Sequence, residues 1–420
     1  MRLSAHSSLD NRSRSLTAAA PIGTVAAPMQ SRDRQEAVAV TALTALFLLP
    51  LAAMGQPGLA RDGDRWVRVF SGSAPAGQRL RVNAHGPVTF QGGTFQGSAA
   101  NRLQYTVRVS VMARTEAQAQ RVLERYAVRV SPVGGWTVLT APGGPVVSTV
   151  TVKAPWLSAV EISTSDGPVE AAGVNGPLTV DTGAGELSID RIRGDCKAVT
   201  GGGDIRVGQV NGSLHCSSGA GRISVGTVSG EAVMETVGGD ILANDIGASV
   251  RAQTGAGGVH ILKAGGPVTA GTGGGQIVVD KANGIVMARN MAGPVQVGAA
   301  AGVQCESGSG GIRVSNITGA MRVSTSLGNI MASLLAGRLA DSFLATGNGD
   351  ITVWIPSNVG VMVRARNEMA DSMRRIVSEY PGLQPRRQGR QLFAEGPVNG
   401  GGPLLQISAT AGTIFIKKQR

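Results

Sequence analysis

From Gly176 to Gly337 the chain repeats itself every 18 residues. GPLTVDTGAGELSIDRIR, starting at Gly176, is followed by GDCKAVTGGGDIRVGQVN from Gly194 and GSLHCSSGAGRISVGTVS from Gly212. A fixed period of this length is the signature of a solenoid, in which each unit buries its apolar face only by stacking on the next. The apolar residues fall into columns. Leu187, Ile205, Ile223, Ile241, Val259, Ile277 and Val295 form one, and Ile189, Val207, Val225, Ala243, Ile261, Val279 and Val297 stand two residues further on. Val174, Ile192, Val210, Val228 and Ile246 make a third column, Leu178, Cys196, Leu214, Ala232, Val250, Val268 and Val286 a fourth, and Val180, Ala198, Cys216, Met234 and Ala252 a fifth. The columns slip by one residue just after Gly302 and resume at Val303, Cys305, Ile312, Val314 and Ile317.

Spacing of i and i+2 is the strand period, so each repeat predicts two short strands with one face inward. Glycine clusters at Gly183, Gly201, Gly219, Gly238 and Gly273, and single glycines at Gly176, Gly194, Gly212 and Gly230, mark the two corners. The expected fold is all-β: a parallel β-helix of 18-residue coils with two strands each, right-handed by the crossover rule, with small helices near both ends. Eleven or twelve coils at about 4.8 Å each predict a rod of roughly 50–60 Å. With 3% aromatic residues and 61 glycines, the core is expected to be slim and filled by Val, Ile, Leu and Ala.

The flanks differ. Residues 1–28 read as an unstructured leader, with Met29 as the expected start of an export signal over 29–60. Arg32 and Arg34 precede the apolar run from Ala37 to Ala53, which contains Pro50 and is short for a membrane span. A cut after Gly55 or Ala60 fits the small-x-small rule; the alternative is an uncleaved anchor, the one way in which a membrane partner is expected. Residues 61–157 read as a capping region. It holds an irregular first coil, the strand LQYTVRVSVMA, a helix TEAQAQRVLERY with Thr115 as N-cap, a hairpin around Gly134 and Gly135, and the strand STVTVKAP. The regular coils are expected over 158–356, a helix-and-loop insertion over 357–402 with the helix from Asn367 to Tyr380, and a terminal coil over 403–420.

The capping segment TEAQAQRVLERYAVRVSPVGGWTVLT, the following VTVKAPWLSAVEISTSDGPVEAAGVNGPLTV, the GGGDIRVGQVNG-like units and the closing ATGNGDITVWIPSNVGVMVRAR and GTIFIKK together resemble the bacterial putative-adhesin family of β-strand-repeat proteins. The resemblance spans residues 65–420. It implies a β-helix of unassigned function and brings no catalytic residues.

The residues themselves say little of chemistry. A β-helix hydrolase or lyase needs paired acids on one outer face. Asp204, Asp240 and Asp350 share the slot before the first inward strand residue, but other coils place Glu186, Arg222, Gly258, Gln276 and Pro294 there, which reads as a solvated corner. His85, His215 and His260 do not cluster in the register, so no metal site is expected. No nucleotide-binding or acyl-transfer motif is present, and no cofactor is expected. Trp66, Trp136, Trp156 and Trp354 lie outside the regular coils and are expected to pack the ends. Cys196 and Cys216 fall on adjacent coils in neighbouring columns, about 8 Å apart and beyond the ~7 Å reach of a disulfide. With Cys305 they read as small core residues.

The net charge of +12 reads as scattered, densest at Arg386, Arg387 and Arg390 with Arg374 and Arg375 before them. Neither a basic stripe nor stacking aromatics accompanies it, so no nucleic-acid partner is expected. The reading is a non-catalytic exported protein of the periplasm, cell surface or surroundings, with an adhesin-like binding or structural role toward an envelope polysaccharide or surface protein. The alternatives are a carbohydrate-active β-helix enzyme and an accessory in envelope-stress sensing.

Overall fold

A computed structural model describes residues 58–94, 101–336, 339–371, 373 and 375–419. The leader and nearly all of the export signal lie outside the described residues. The regular coils form as the columns require. Strands β9 (Ala159–Thr164) and β10 (Val169–Val174) make one rung, and nine further rungs from β11 (Leu178–Thr182) to β28 (Ile330–Leu334) repeat it. Odd-numbered strands pair in parallel into one sheet and even-numbered strands into the other. Both sheets keep the 18-residue register, as in Leu187↔Ile205 and Cys196↔Leu214. The inward columns are fully buried between the sheets: Ile205, Ile223, Val268 and Ile277 are all at 0% exposure. At the corners each rung lies so close to the last that a side chain on Gly203 would collide with the Gly185 carbonyl.

The slip in register falls one step earlier than the columns suggested. Lys281 still pairs with Ala299 at 18 residues, whereas Ile285 pairs with Gly302 at 17, so the residue is lost between Ala299 and Gly302.

The ends depart most from expectation. At the front are β1 (Ala60–Asp62), β2 (Arg65–Pro75), β3 (Arg79–Ala84), β4 (Val88–Gly93), β5 (Arg102–Met112), α1 (Glu116–Glu124), β6 (Arg129–Val133), β7 (Trp136–Thr140) and β8 (Val147–Pro155). The first coil, β3 with β4, is seated between the later rung β7/β8 and the rung β9/β10. Antiparallel β5, β2 and β1 extend one sheet beyond β8, and β6 extends the other beyond β7. Thr115 caps α1 by accepting from the Gln118 amide at 3.3 Å. The helix buries Ala119 and Leu123 against this end of the core, near Phe70 and Tyr126. Gly134 and Gly135 turn the β6–β7 hairpin at φ of 57° and 82°, where only glycine is at ease.

At the far end the strands are β29 (Ser342–Asn348), β30 (Ile351–Pro356), β31 (Val361–Asn367), β32 (Ile376–Ser378), β33 (Arg386–Gln388), β34 (Gln391–Val398), β35 (Leu404–Ala411) and β36 (Ile414–Gln419). The expected terminal coil, β35 with β36, is last in sequence but not in space. It sits between β29/β30 and β31/β32. The helix expected from Asn367 does not form; α1 is the only helix among the described residues. Asn367 instead ends β31 fully buried, its side-chain amide donating to the Gly412 carbonyl. Ile376 enters the inward column beside Ile414, and the Tyr380 hydroxyl donates to the Ile355 carbonyl at 2.9 Å. Burial in the last rung outweighs the helical propensity of the segment.

Each sheet has eighteen strands, three of them antiparallel additions at the ends, leaving fifteen parallel rungs rather than eleven or twelve. At about 4.8 Å per rung the stack is roughly 70 Å long. Its outermost strands are short, β1, β32 and β33 having three residues each. Pro132 interrupts β6 and arginines occupy β33, which blunts end-to-end pairing.

Candidate functional site

The acids that a polysaccharide enzyme would use are committed to the backbone. Asp204 accepts the Arg222 amide at 2.9 Å, Asp240 the Gly258 amide at 2.9 Å and Asp350 the Thr413 amide at 2.7 Å. Each carboxylate therefore closes the corner of the adjacent rung. Asp195 and Asp341 do the same at the opposite corner, toward Ser213 and Leu404. The second oxygens of Asp204 and Asp240 face Arg206 at 3.5 Å and Arg222 at 3.3 Å. Both pairs are half-exposed.

A second polar ladder went unread in the sequence, although it too recurs every 18 residues: Thr182, Thr200, Ser218, Thr236, Thr254 and Thr272. These residues end the odd strands facing inward and are buried. Thr200, Ser218, Thr236, Thr254 and Thr272 each donate to a glycine carbonyl 15 residues back, at 2.8–2.9 Å, and accept from the amide three residues ahead. Asn290 continues the ladder with its amide to Gly275. Apolar columns fill the core, and this hydroxyl column satisfies the corner where the chain must bend away from it.

The histidines stay apart. His85 Nδ1 lies 2.8 Å from Ser165 Oγ, His260 Nε2 lies 3.3 Å from Asp280, and His215 faces outward beside Lys197. Among the described residues no three His, Cys, Asp or Glu side chains converge. The cysteines are free and buried. Cys196 stands opposite Leu214 and Cys216 opposite Ala198, the offset that the columns predict. Burial pushes the thiols of Cys196 and Cys305 up to about 12, and that of Cys216 well above its ordinary value.

The tryptophans divide. Trp66 donates to the Ala113 carbonyl at 3.2 Å in the front cap, and Trp136 carries Arg79 and Arg81 over its ring. Trp156, exposed under Arg193, and Trp354, on an outward position of β30, do not pack into an end.

What the rod offers is open surface. Along the corner that follows the odd-numbered strands run two contiguous depressions of about 410 and 630 Å³ that share Gln253 and Thr254. They cross successive rungs from Ser217 to Gly308. Glycines at Gly255, Gly271 and Gly273 keep them low, while Glu235, Arg289, Glu306 and the exposed Val237 and Met291 rise beside them. Six rungs at about 4.8 Å give a groove roughly 24 Å long.

No family model matches the chain, and neither does any curated protein. Solved structures that match the chain include a putative adhesin from Bacteroides fragilis, 15% identical over 60% of this chain and 97% of that one, with a TM-score of 0.30. Another is a putative cell adhesion protein from Clostridium sporogenes, 9% identical over 84% of this chain and 100% of that one, with a TM-score of 0.17. A putative adhesin from Parabacteroides merdae is 10% identical over 84% and 96%, with a TM-score of 0.22.

Proposed function

We propose that this protein is an exported, non-catalytic rod of the cell envelope or surface, adhesin-like in role, which holds an extended polymer segment along its flank. The observation that carries this reading is the groove from Ser217 to Gly308, open at its sides and continuous across rungs. A chain lying there meets a repeated set of backbone and side-chain polar groups, which suits an extended partner better than a small substrate. The slot aspartates support the non-catalytic part of the reading, because their acceptor oxygens already close the corners. Export rests on the segment from Met29 to Ala60.

Gly271 provides the test. It faces outward from the strand Val268–Thr272, and a β-carbon there meets nothing nearer than 3.9 Å. Gly271→Trp therefore fills the groove without disturbing the stack. Fractionation and N-terminal sequencing should find the mature chain outside the cytoplasm, and cells displaying Gly271→Trp should adhere less than cells displaying the original chain. Equal adhesion would remove the groove from the reading. Turnover of pectin, alginate or peptidoglycan that Asp240→Asn abolishes would replace it with the enzyme alternative.

A further inference from the structure

The charges are not scattered along the rod. Residues 58–157, which build the front end, hold 12 Lys and Arg against 4 Asp and Glu, a net of +8. The described residues of 158–356, the regular rungs, hold 11 against 16, a net of −5. The described residues of 357–419, which build the far end, hold 8 against 4, a net of +4. A long anion is thus repelled by the flank and drawn to the ends.

At the far end this field meets a shaped site. The hairpin β33–β34 borders a cleft of about 740 Å³ lined by Gln384, Arg386, Arg387, Gln388, Phe393 and Glu395. That volume is within the ~300–1,000 Å³ of clefts that hold discrete ligands. Arg386 and Arg387 are exposed and have no acidic partner among the described residues. Neighbouring arginines are already engaged: Arg364 donates to Glu395 at 2.8 and 3.1 Å, and Arg366 lies over the Phe393 ring, 5.7 Å from its centroid. Two free guanidinium groups stand beside side-chain amides and one phenyl ring.

We propose that this cleft binds an acidic polysaccharide, a chain of sugar units bearing carboxylates. Paired N–H groups of an arginine match the two oxygens of a carboxylate. The Gln388 amide and the free carbonyl of Gln384, whose NH2 group donates to the Pro381 carbonyl, suit sugar hydroxyls, and the ring suits an apolar sugar face. Other anionic chains fit less well. A strand-adding acidic peptide needs a longer edge than the three residues of β33, which Pro385 precedes and the Gly389 turn follows. Single-stranded nucleic acid needs successive stacking platforms, and the cleft has one ring. The proposal rests on the binding-rod reading and names a partner class at a site separate from the groove.

The test is titration calorimetry of the full chain with oligogalacturonate, with dextran, polyglutamate and oligothymidylate as comparisons. Oligogalacturonate should bind, more weakly as salt rises, and dextran should not. Arg386→Ala and Arg387→Ala should each weaken binding by roughly tenfold, the worth of a charge-assisted contact. Arg386→Lys should recover only part, because lysine lacks the paired donors. Both side chains are exposed, so melting temperatures should stay unchanged. Unaltered binding by the double variant, or equal affinity for polyglutamate or oligothymidylate, would overturn the proposal. Cell adhesion lost in Gly271→Trp but kept in the double arginine variant, with no oligogalacturonate binding by the original chain, would remove this site and leave the groove reading intact.

Discussion

The buried hydroxyl ladder makes a prediction that an apolar-core view would reverse. Thr254 is 7% exposed, donates to the Gly239 carbonyl at 2.8 Å and accepts the Gly257 amide at 3.1 Å. Thr254→Val keeps the shape and removes both bonds. Two hydrogen bonds are worth about 1 kcal/mol each, and a buried group left unpaired adds about 1–3 kcal/mol. The extra apolar surface of valine returns about 0.8 kcal/mol. The expected net loss is about 2–4 kcal/mol. Thr254→Ser keeps both bonds, as Ser218 does two rungs away, and loses only a methyl group, about 1 kcal/mol. Serine should therefore be the milder change even though valine is the more hydrophobic. The assay is urea denaturation followed by circular dichroism, with hydrogen exchange at the Gly257 amide as a local reading, since rungs contact only their neighbours. Thr254→Val as stable as Thr254→Ser, with undiminished protection at Gly257, would refute a structural role for the ladder.

Inward and outward neighbours should separate sharply. Ile223→Asp should prevent folding and Ile223→Ala should cost roughly 2–5 kcal/mol, whereas the adjacent exposed Arg222→Ala should change stability by under ~0.5 kcal/mol, all read from thermal melts. The three cysteines should label slowly in the native protein and react fully after denaturation without reductant. Burial raises Cys196 and Cys305 from 9.0 to about 12, so the unfolded thiols ionise first. The stability they contribute is complete below about pH 9 and is lost as pH climbs toward 12. A variant with all three cysteines replaced by alanine should show a flatter alkaline decline in denaturation midpoint; an identical decline would contradict the assignment.

The sequence displays whatever is set locally. The columns through Ile205 and Cys196 define both sheets because a one-residue slip would turn every inward residue out. The Thr115 cap and the Gly134–Gly135 turn are short-range chemistry and equally visible. The order of the end rungs is not, because β35 could pair with any rung of like pattern, and only the surrounding strands decide that it lies between β29 and β31. The segment after Asn367 carries a helical pattern, but the inward place of Ile376 is decided by Ile414, nearly forty residues on. The groove was hidden for a different reason. Its glycines read as corners, and nothing in a single repeat shows that six neighbouring corners line up into one depression.

The interleaved ends also change how the rod bears load. Tension applied at Gln419 does not act on an outermost rung that could peel away one bond at a time. Strand β36 is held on one side by β30 along six residue pairs, from Ile351↔Ile414 to Pro356↔Gln419, and on the other by β32 along three. Drawing it out means tearing ladders on both flanks together, with Ile414 and Ile416 dragged from the core at the same moment. The chain's last strands are thus fastened like a tenon between two boards, and force entering there passes into the body of the stack.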